Sequence, residues 1–235
     1  MKKDVIKSQK ELKIISINNK WIFTKAKFGP SKPTRIPLLI DEELAFFVAA
    51  IIGDGHLRKN KLQISIEISN KKLLESIKKM CKKLFNRKFN IHKIKKREGK
   101  KQTYNLIIDS KAIYNLLNIV FKIKKGKKSN IVKVPKIILK SNKSIKASFL
   151  IGIMMTEGGK RRRGIGLSTS SKQLWKDLIK IFSDIGIKVL KDKWIYKKYK
   201  KEYYGISFKR EFLYIIMREC QSGQMGQILD SYFLK

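Results

Sequence analysis

Two acidic residues close two similar apolar segments of this chain. The first segment reads FFVAAIIGDG over residues 46–55, and the second reads FLIGIMMTEG over residues 149–158. Each ends in one carboxylate followed by glycine, Asp54 in the first copy and Glu157 in the second. A single acid at the end of an apolar helix is common. Its recurrence at the same place in a second copy predicts a paired acidic site that binds metal.

Small residues in the same segments indicate how the two acids would meet. Ala49 and Gly53 in the first copy, and Gly152 and Thr156 in the second, are spaced by four and therefore share one helix face. Small residues at this spacing allow two helix backbones to approach closely. If the helices pack in parallel, their C-terminal ends lie side by side.

That position is unfavourable for two anions, because both helix dipoles present their negative ends there and the carboxylates repel each other. Mg²⁺ resolves the conflict by taking carboxylate, backbone carbonyl and water oxygens. We expect Asp54 and Glu157 as its ligands, with the carbonyls of Gly53 and Thr156 adding to them. Metal held against a phosphodiester activates water and stabilises the leaving oxygen, so the chemistry predicts a nuclease.

The charge of the chain indicates what this site faces. Lys and Arg number 56 against 18 Asp and Glu, a net charge of +38, and such self-repulsion is relieved by a polyanion. Nucleic acid is the expected partner, and an anionic membrane is the main rival. No stretch approaches the roughly 18–20 apolar residues of a membrane span, and the N-terminus lacks the apolar core of a secretory signal.

Cysteine usage and charge together favour an intracellular location. Cys81 and Cys220 are far apart and have no neighbouring metal-ligand pattern, so we expect free thiols in a reducing compartment. The expected compartment is the cytoplasm or nucleoid of a prokaryote, or an organelle matrix.

Hydrophobic periodicity predicts two passes through one order of elements, helix, strand pair, helix, strand pair, helix. In the first pass a helix opens at Asp41, and the alternation of residues 61–69 predicts a strand with Leu62, Ile64, Ile66 and Ile68 on its buried face. The remaining predicted elements are a helix at 70–86, a hairpin at 90–96 and 102–108, a helix at 111–121, then a helix at 145–157, a strand at 164–170, a helix at 172–185, a hairpin at 187–196 and 202–209, and a helix at 210–219. The corresponding domains are an N-terminal extension (1–37), a first half (38–121), a basic linker (122–143), a second half (144–219) and a C-terminal tail (220–235).

With these motifs the chain resembles a single-chain, two-motif LAGLIDADG homing endonuclease. Residues 47–55 and 150–158 each match the nine-residue motif in pattern, and the resemblance covers residues 38–219. Ile52 and Met155 replace the first acid of the motif, and Glu157 replaces its second acid in the later copy. The family uses the last acid for metal, so both metal positions are retained.

The resemblance implies an α+β fold of two pseudo-symmetric αββαββα halves that form a DNA-binding saddle of antiparallel sheets. It implies a monomer that cleaves both strands of one long asymmetric double-stranded DNA target and leaves 3′ overhangs, in intron or intein homing. Mg²⁺ is the implied cofactor, with Mn²⁺ or Ca²⁺ able to substitute for binding. The absence of a splicing motif at either end favours a free-standing or intron-encoded enzyme over an intein.

The resemblance also assigns further residues to catalysis. Asn70 and Ser171 fall just after the first strand of each half, where the family often has a water-organising glutamine. Lys124 or Lys125 matches a basic residue that approaches the active site from the end of the first half. Lys160, three residues past Glu157, resembles a lysine of single-chain members, and a plain phosphate contact is an equally good interpretation.

DNA reading is predicted from strands laid in the major groove, where every second side chain meets base edges. Arg58 and the arginine run at 161–163 occupy matching loops after the motif helices and are expected to grip backbone or outer bases. Aromatic residues of the last hairpin, Trp194, Tyr196, Tyr204 and Phe208, are expected in the core, and His56 and His92 outside catalysis. The full predicted DNA-binding set is Arg58, Lys61, Gln63, Ser65, Glu67, Arg161, Arg162, Arg163, Ser168, Ser170, Lys191, Lys193 and Lys197.

Two other functions fit the same pattern. One is an RNA maturase that grips intron RNA and assists its splicing, and the other is a DNA-binding regulator that keeps the saddle without cleavage. Metal-dependent cutting of DNA that carries the insertion sequence separates the first from an endonuclease. Loss of either acid would favour the second, and both acids are present.

Overall fold

The structure is a computed structural model and describes residues 1–28, 32–95, 98–99, 101–161, 164–197, 200–223 and 227–229, with the side chain of Arg161 outside this set. Two of its helices form the centre of the molecule, α2 (Glu42–Gly53) and α6 (Lys143–Glu157). The Asp41 side chain caps the first by accepting from the Leu44 amide at 2.8 Å, and Asn142 caps the second by accepting from the Ile145 amide at 3.1 Å. Their apolar residues are buried on nearly every side, as expected of helices between two layers.

Each central helix opens one half with the same order of elements. The first half continues with β4 (Gly55–Leu57), β5 (Gln63–Ile68), α3 (Lys71–Phe85), β6 (Asn90–Lys93), β7 (Tyr104–Asp109) and α4 (Lys111–Asn115), which runs on as a π-helical turn (Leu116–Val120). The second half continues with β8 (Gly158–Arg161), β9 (Gly164–Thr169), α7 (Lys172–Asp184), β10 (Leu190–Tyr196), β11 (Lys201–Phe208) and α8 (Phe212–Glu219). A short helix, α5 (Lys136–Leu139), lies in the connection between them.

The two halves carry equivalent antiparallel sheets. The strand order is β4-β5-β7-β6 in the first and β8-β9-β11-β10 in the second. In both sheets the second strand of the half (β5 or β9) therefore pairs with the first strand on one side and with the later hairpin (β6–β7 or β10–β11) on the other. This confirms the predicted α+β fold with two αββαββα halves.

Glycine contacts bring the two central helices together. A β-carbon built on Gly152 would lie 2.6 Å from Ala49 Cβ and 2.7 Å from the Phe46 carbonyl oxygen, and one built on Gly53 would lie 2.1 Å from Thr156 Oγ1. The contacts advance together along both helices, so the helices are parallel and end at the same place. Only glycine permits this approach, because any β-carbon would overlap backbone or buried atoms of the neighbouring helix.

The described residues among the first forty are folded onto the first half. They form α1 (Lys2–Ser8) and a three-stranded antiparallel sheet, β1 (Lys13–Ile17), β2 (Trp21–Lys25) and β3 (Thr34–Pro37). Gln9 Nε2 donates to the Ala112 carbonyl at 3.2 Å, and Arg35 Nε donates to the Leu84 carbonyl at 3.2 Å. Ile22 and Ile36 of this sheet belong to the common core, so the segment is an integral layer of the protein.

The expectation that Leu62 lies on the buried face of the strand predicted at 61–69 is wrong. Leu62 is 46% exposed and precedes β5, where it was predicted on the buried face. The Arg58 amide donates to the Gln63 carbonyl at 3.0 Å and closes a turn over residues 58–63. The alternation of the sequence therefore runs two residues beyond the strand, into this turn.

No helix among the described ranges is long and apolar enough to cross a bilayer.

The central contact makes a stability prediction. Gly152→Ala should lower the free energy of unfolding by about 1–3 kcal/mol, since the added methyl group meets the Phe46 backbone, which cannot rotate away. The matched control is Gly159→Ala, because a β-carbon there meets no described atom within 4 Å. Urea denaturation of both variants measures the difference, and equal stability of the two would contradict the role given to this contact.

Candidate active site and nucleic-acid interface

The two predicted metal acids lie together at the end of the paired helices. Asp54 is the C-terminal cap of α2, and Glu157 is the last residue of α6. The β-carbon position of Gly53 is 3.4 Å from Glu157 Cγ, so the second acid reaches the end of the first helix. This is the juxtaposition predicted from the two apolar segments.

The ionised form of both acids is disfavoured at this junction. Burial and, to a smaller extent, the nearby Glu157 charge together raise the pKa of Asp54 to about 7, against the opposing effect of the Lys128 ammonium. Burial also raises the pKa of Glu157, against the pull of the Lys128 ammonium. Two half-buried carboxylates with raised pKa values are a good host for an additional cation.

Lys128 is the cation that the structure brings to these acids. Its ammonium donates to the carbonyls of Ile51 at 2.7 Å and Gly53 at 3.2 Å, and also to that of Ile52. It thereby satisfies the free carbonyls at the end of α2 and neutralises the negative end of the helix dipole. Burial lowers the pKa of Lys128 to about 8, while the charges of Glu157 and Asp54 oppose this shift.

The prediction that Lys124 or Lys125 approaches the active site is wrong in register. Both side chains are exposed, and the Lys125 ammonium lies 5.6 Å from the centre of the Tyr114 ring. Gly126, with φ of +74°, redirects the chain, and its amide donates to the Leu57 carbonyl at 2.8 Å. This anchor brings the linker beside the first motif. A run of lysines contains no pattern that selects the buried member, so Lys128 was missed.

Asn70 and Ser171 cap helices in the structure. Asn70 Oδ1 accepts from the Leu73 amide at 3.1 Å, and Ser171 Oγ accepts from the Leu174 amide at 3.3 Å. The Ser171 hydroxyl is also buried and donates to the Val132 carbonyl at 2.5 Å. Its predicted role in organising water is therefore wrong, and the oxygen of Asn70 is committed to its helix. Both fit the N-cap preference of Asn and Ser after a strand.

The donor atoms at the junction fit a hard divalent ion. Asp54 and Glu157 offer carboxylate oxygens, the kind that Mg²⁺, Mn²⁺ and Ca²⁺ prefer. The Thr156 hydroxyl hydrogen-bonds back to the Gly152 and Ile153 carbonyls at 3.1 Å, and the Gly53 carbonyl accepts from Lys128 at 3.2 Å. The predicted ligand role of the Gly53 and Thr156 carbonyls stays a prediction. Within the described ranges no three His, Cys, Asp or Glu residues form a cluster suited to a metal, which leaves the acid pair as the candidate.

A cleft of about 430 Å³ opens beside the junction and contains further polar side chains. It is lined by Glu157 and Lys128, by the exposed Lys127, and by residues of both sheets. His56, expected outside catalysis, also lines it. His56 follows Gly55 in β4 and pairs with Ser65 of β5, which places it on the open face of the first sheet, two residues after Asp54. Lys160 is exposed on β8, and its role stays a prediction.

The first sheet presents a polar open face. Along β5, Ile64, Ile66 and Ile68 are buried, whereas Gln63, Ser65 and Glu67 lie on the opposite side. Gln63 Nε2 donates to Asp109 Oδ1 at 2.5 Å, and Thr103 Oγ1 donates to Glu67 Oε1 at 3.1 Å. Arg58 and Lys61 line a second cleft of about 430 Å³ with Lys127. The predicted reading residues of this half therefore share one region.

Two lysines of the second sheet point away from its open face. Lys191 and Lys193 of β10 pair with the buried Ile206 and Tyr204 of β11. Directly paired residues of antiparallel strands face the same side of a sheet, so both lysines point to the helix side, and Lys193 Nζ binds Glu202 Oε1 at 2.5 Å. They therefore do not lie on the open face of the sheet, and their predicted contact with DNA stays a prediction.

Aromatic and small residues form the open face of the second sheet. Trp194 and Tyr196, expected in the core, are 37% and 48% exposed, while Tyr204 and Phe208 are buried as expected. The Trp194 ring stacks on Tyr203, with ring centres 6.0 Å apart. Trp194 pairs with Tyr203, which alternates with the buried Tyr204, and this parity turns the tryptophan outward. The alternation of β10 was read one residue out of step.

The other predicted contacts of this half are distributed. Ser168 lines the active-site cleft, and Ser170 Oγ donates to the Ser129 carbonyl at 3.1 Å, which ties the linker to the second sheet. Lys197 is exposed just after β10. Arg162 and Arg163 lie outside the described residues, as does the side chain of Arg161.

Comparison with known proteins agrees with this geometry. Residues 41–120 match the LAGLIDADG-like domain. A curated relative, the replication factor C small subunit of Methanocaldococcus jannaschii, is 31% identical over 166 residues, which cover 71% of this chain and 9% of that protein. The chain spans only 9% to 16% of the length of the curated relatives it matches.

Solved structures share the fold at low sequence identity. I-DmoI in complex with DNA and Ca superposes with a TM-score of 0.55 at 17% identity, covering 81% of this chain and 98% of that one. The homing endonuclease I-WcaI bound to its DNA recognition sequence gives 0.52 at 16% identity, covering 80% of this chain and 85% of that one. Residues 41–120 are thus a LAGLIDADG-like domain. The chain as a whole has the fold of the single-chain LAGLIDADG homing endonucleases, as the two motifs predicted.

The raised pKa of Asp54 predicts a pH-dependent stability. A carboxyl whose folded-state pKa is raised stabilises the fold fully below its ordinary value of 3.8 and loses this contribution as the pH rises through about 7. Asp54→Asn removes that ionisation. Its free energy of unfolding at pH 8, without metal, should exceed that of the wild type by on the order of 1–3 kcal/mol.

Urea denaturation at pH 4 and pH 8 measures this difference. The gain should shrink as the pH approaches 4, and Asp192→Asn, on the exposed strand β10, should change stability little at either pH. A stability difference for Asp54→Asn that stays the same at both pH values would contradict the strained acid pair.

Proposed function

We propose that this protein is a site-specific DNA endonuclease that makes a metal-dependent double-strand break with 3′ overhangs at one long asymmetric target. The observation that carries the proposal is the meeting of Asp54, Glu157 and Lys128 at the end of the two parallel helices. The chain has a net charge of +38, which suits a polyanionic substrate. The proposal treats residues 38–121 and 144–219 as two halves joined by a basic linker in a monomer, with an N-terminal extension and a C-terminal tail outside them.

Asp54 and Glu157 are the residues that would hold the divalent ion. I-DmoI has been crystallised with DNA and Mn and with DNA and Ca, so we propose Mg²⁺ as the working ion, with Mn²⁺ or Ca²⁺ able to take its place in binding. When bound, the ion supplies a polarised water and stabilises the leaving oxygen of an in-line displacement. The raised pKa values of the two acids fit this role, because a cation favours their ionised forms.

The remaining side chains position this chemistry. Lys128 fixes the end of α2 by three hydrogen bonds and compensates the charge of both acids. Its position at the cleft also suits contact with a phosphate oxygen, and Lys127 lies beside it. Lys160 is proposed as a second cation of the same kind, or as a phosphate contact.

DNA recognition is proposed for the open faces of the two sheets. Gln63, Ser65 and Glu67 offer donors and acceptors to base edges, with Gln suited to adenine, while Arg58, Lys61 and Lys197 are proposed as backbone contacts. The two faces differ in chemistry, and an asymmetric target follows from that difference.

The curated relatives favour a homing origin. The shared segment is a minor part of proteins with unrelated names, including a replication factor C subunit and a glutamine–fructose-6-phosphate aminotransferase. A segment shared by proteins with unrelated names is the distribution expected of a mobile coding element. We therefore propose that the endonuclease serves its own spread, and this distribution favours a protein-embedded origin over the free-standing or intron-encoded one expected from the chain ends.

Removing either acid tests the chemistry. Asp54→Asn and Glu157→Gln should each reduce double-strand cleavage of a target, selected from a randomised library, by at least about 100-fold, because metal positioning is lost. Target affinity in Ca²⁺ should stay within a few fold, since the phosphate contacts lie elsewhere. Gel analysis of cleavage and fluorescence anisotropy of binding measure the two effects.

The same assay separates the alternatives. Wild-type protein should cut in Mg²⁺ or Mn²⁺ and stop in excess EDTA. Tight binding without any cutting would replace the proposal by a DNA-binding regulator, and full activity in EDTA would exclude the metal mechanism.

Lys128 provides a further test, with a neighbour as its control. Lys128→Met leaves the carbonyls at the end of α2 without their donor and the two acids without their cation, so cleavage should fall at least about tenfold. Lys125→Met removes an exposed lysine from the same linker and should keep cleavage within about twofold. Single-turnover cleavage rates give both numbers, and an equal loss in the two variants would reject the assignment of Lys128.

A further inference from the structure

A second large cleft lies between the N-terminal sheet and the first half. Its volume is about 890 Å³, and it is open to solvent. One wall is formed by β2 and the start of β3, and the other by the end of α3 and the beginning of α4. The active site lies elsewhere, because none of the lining residues belongs to the motif helices.

The lining of this cleft is strongly basic. Five cations and one acid contribute to it, and the cations are Lys25, Lys32, Arg87, Lys88 and Lys111. The acid, Asp109, already accepts from Gln63, and Lys111 pairs with Glu11 at 2.9 Å. Within the described parts of the chain, no carboxylate lies in ion-pair distance of Lys25, Lys32 or Lys88.

Arg87 is held in place as part of a polar floor. Its Nη1 donates to the Lys32 carbonyl at 3.1 Å and to Thr34 Oγ1 at 3.0 Å, and its guanidinium lies 5.8 Å from the centre of the Phe89 ring. Thr34 Oγ1 is 3.5 Å from Ser110 Oγ. The nearby Thr24 hydroxyl is buried and has no hydrogen-bond partner among the described residues. Fixed donors and unpaired cations around a polar floor are the features of an anion site.

The strand register places the cleft at the outer end of the first sheet. Gly55, directly after the catalytic-site acid Asp54, pairs with Ile66 of β5, whereas Asp109 at the cleft pairs with Gln63. Three residues of strand separate these pairs, or about 10 Å. DNA lying along β5 from the acids toward Gln63 would therefore run toward the cleft.

We propose that this cleft binds backbone phosphates of the DNA target beyond the segment read by the first sheet. The N-terminal sheet then lengthens the footprint by contacts that position the duplex without reading its sequence. This inference rests on the proposed function, since it needs a bound duplex. It accounts for the fastening of the first forty residues to the first half and for the unpaired lysines at their junction.

The test removes two of the unpaired charges. Lys25→Gln combined with Lys88→Gln should reduce the slope of log Kobs against log salt by about 1–2, since each lost phosphate contact contributes about 0.9. The matched control is Lys72→Gln with Lys79→Gln, two exposed lysines on the outer helix α3, which should leave the slope unchanged. Both are measured by fluorescence anisotropy on a target selected from a randomised library.

Trimming the duplex locates the contact. Removal of the outer base pairs at the end bound by the first half should weaken the wild type and leave the Lys25/Lys88 variant unaffected. If this variant and the wild type bind the same DNA with identical salt slopes, the proposal that the cleft binds phosphates is overturned, while the proposed function is unaffected. Failure of the wild type to bind any duplex would instead reject the proposed function.

A titration with inorganic phosphate separates DNA backbone from a free anion. Calorimetry should show no saturable binding at millimolar phosphate, because a duplex presents several phosphates to the cleft at once and a single ion does not. Saturable phosphate binding that the Lys25/Lys88 variant loses, with unchanged DNA affinity, would overturn the assignment to DNA.

Discussion

The close parallel contact between the two central helices is the constraint on which the rest of the structure depends. Gly152 against Phe46 and Ala49, and Gly53 against Thr156, set the helices at a separation that leaves no room for a β-carbon at either glycine. Because the contact points advance together along both helices, the acids that follow them are delivered to one place. The same contact fixes how the two halves meet, so a single packing interaction determines both the acid pair and the relation between the sheets.

This arrangement creates an electrostatic cost that the protein only partly offsets. Two half-buried acids lie at the negative ends of two helix dipoles, and burial raises the pKa of both. Lys128 supplies one positive charge, which also satisfies the carbonyls of α2. A single ammonium shared between two carboxylates leaves net negative charge when both are ionised. This remaining negative charge would be neutralised by a bound divalent cation.

A structural feature could be predicted from the sequence where it depends on a local residue pattern, and could not where it depends on tertiary contacts. The paired acids and their small-residue faces were predictable, because a repeated apolar helix that ends in an acid followed by glycine is a local pattern. The αββαββα order was predictable for the same reason, since each element has its own period. Lys128 was not, because the linker is a run of lysines and only the Gly126 turn and its bond to Leu57 decide which one is buried.

The errors in the sheets have a different physical origin. A strand's alternation tells which residues share a side, but an exposed edge strand such as β10 has no buried side to fix its phase. Trp194 was therefore expected in the core, whereas its pairing with Tyr203 of β11 turns it to the open face. The prediction that Leu62 is buried was wrong for a similar reason, because the alternation of apolar and polar residues does not show where a strand ends and its turn begins.

The observed strand register makes the open faces of the two sheets chemically unlike. The first offers amide, hydroxyl and carboxylate groups at Gln63, Ser65 and Glu67, whereas the second combines glycines with the stacked pair of Trp194 and Tyr203. Gly205 lies directly beneath this pair, since a β-carbon there would be 2.9 Å from the Trp194 ring. Polar groups suit hydrogen bonding to base edges, and apolar rings suit the methyl group of thymine. Under the proposed function, two pseudo-symmetric halves with unlike faces would match a DNA sequence without internal symmetry: the duplication supplies the paired acids, and the divergence of the sheets would supply the asymmetry of recognition.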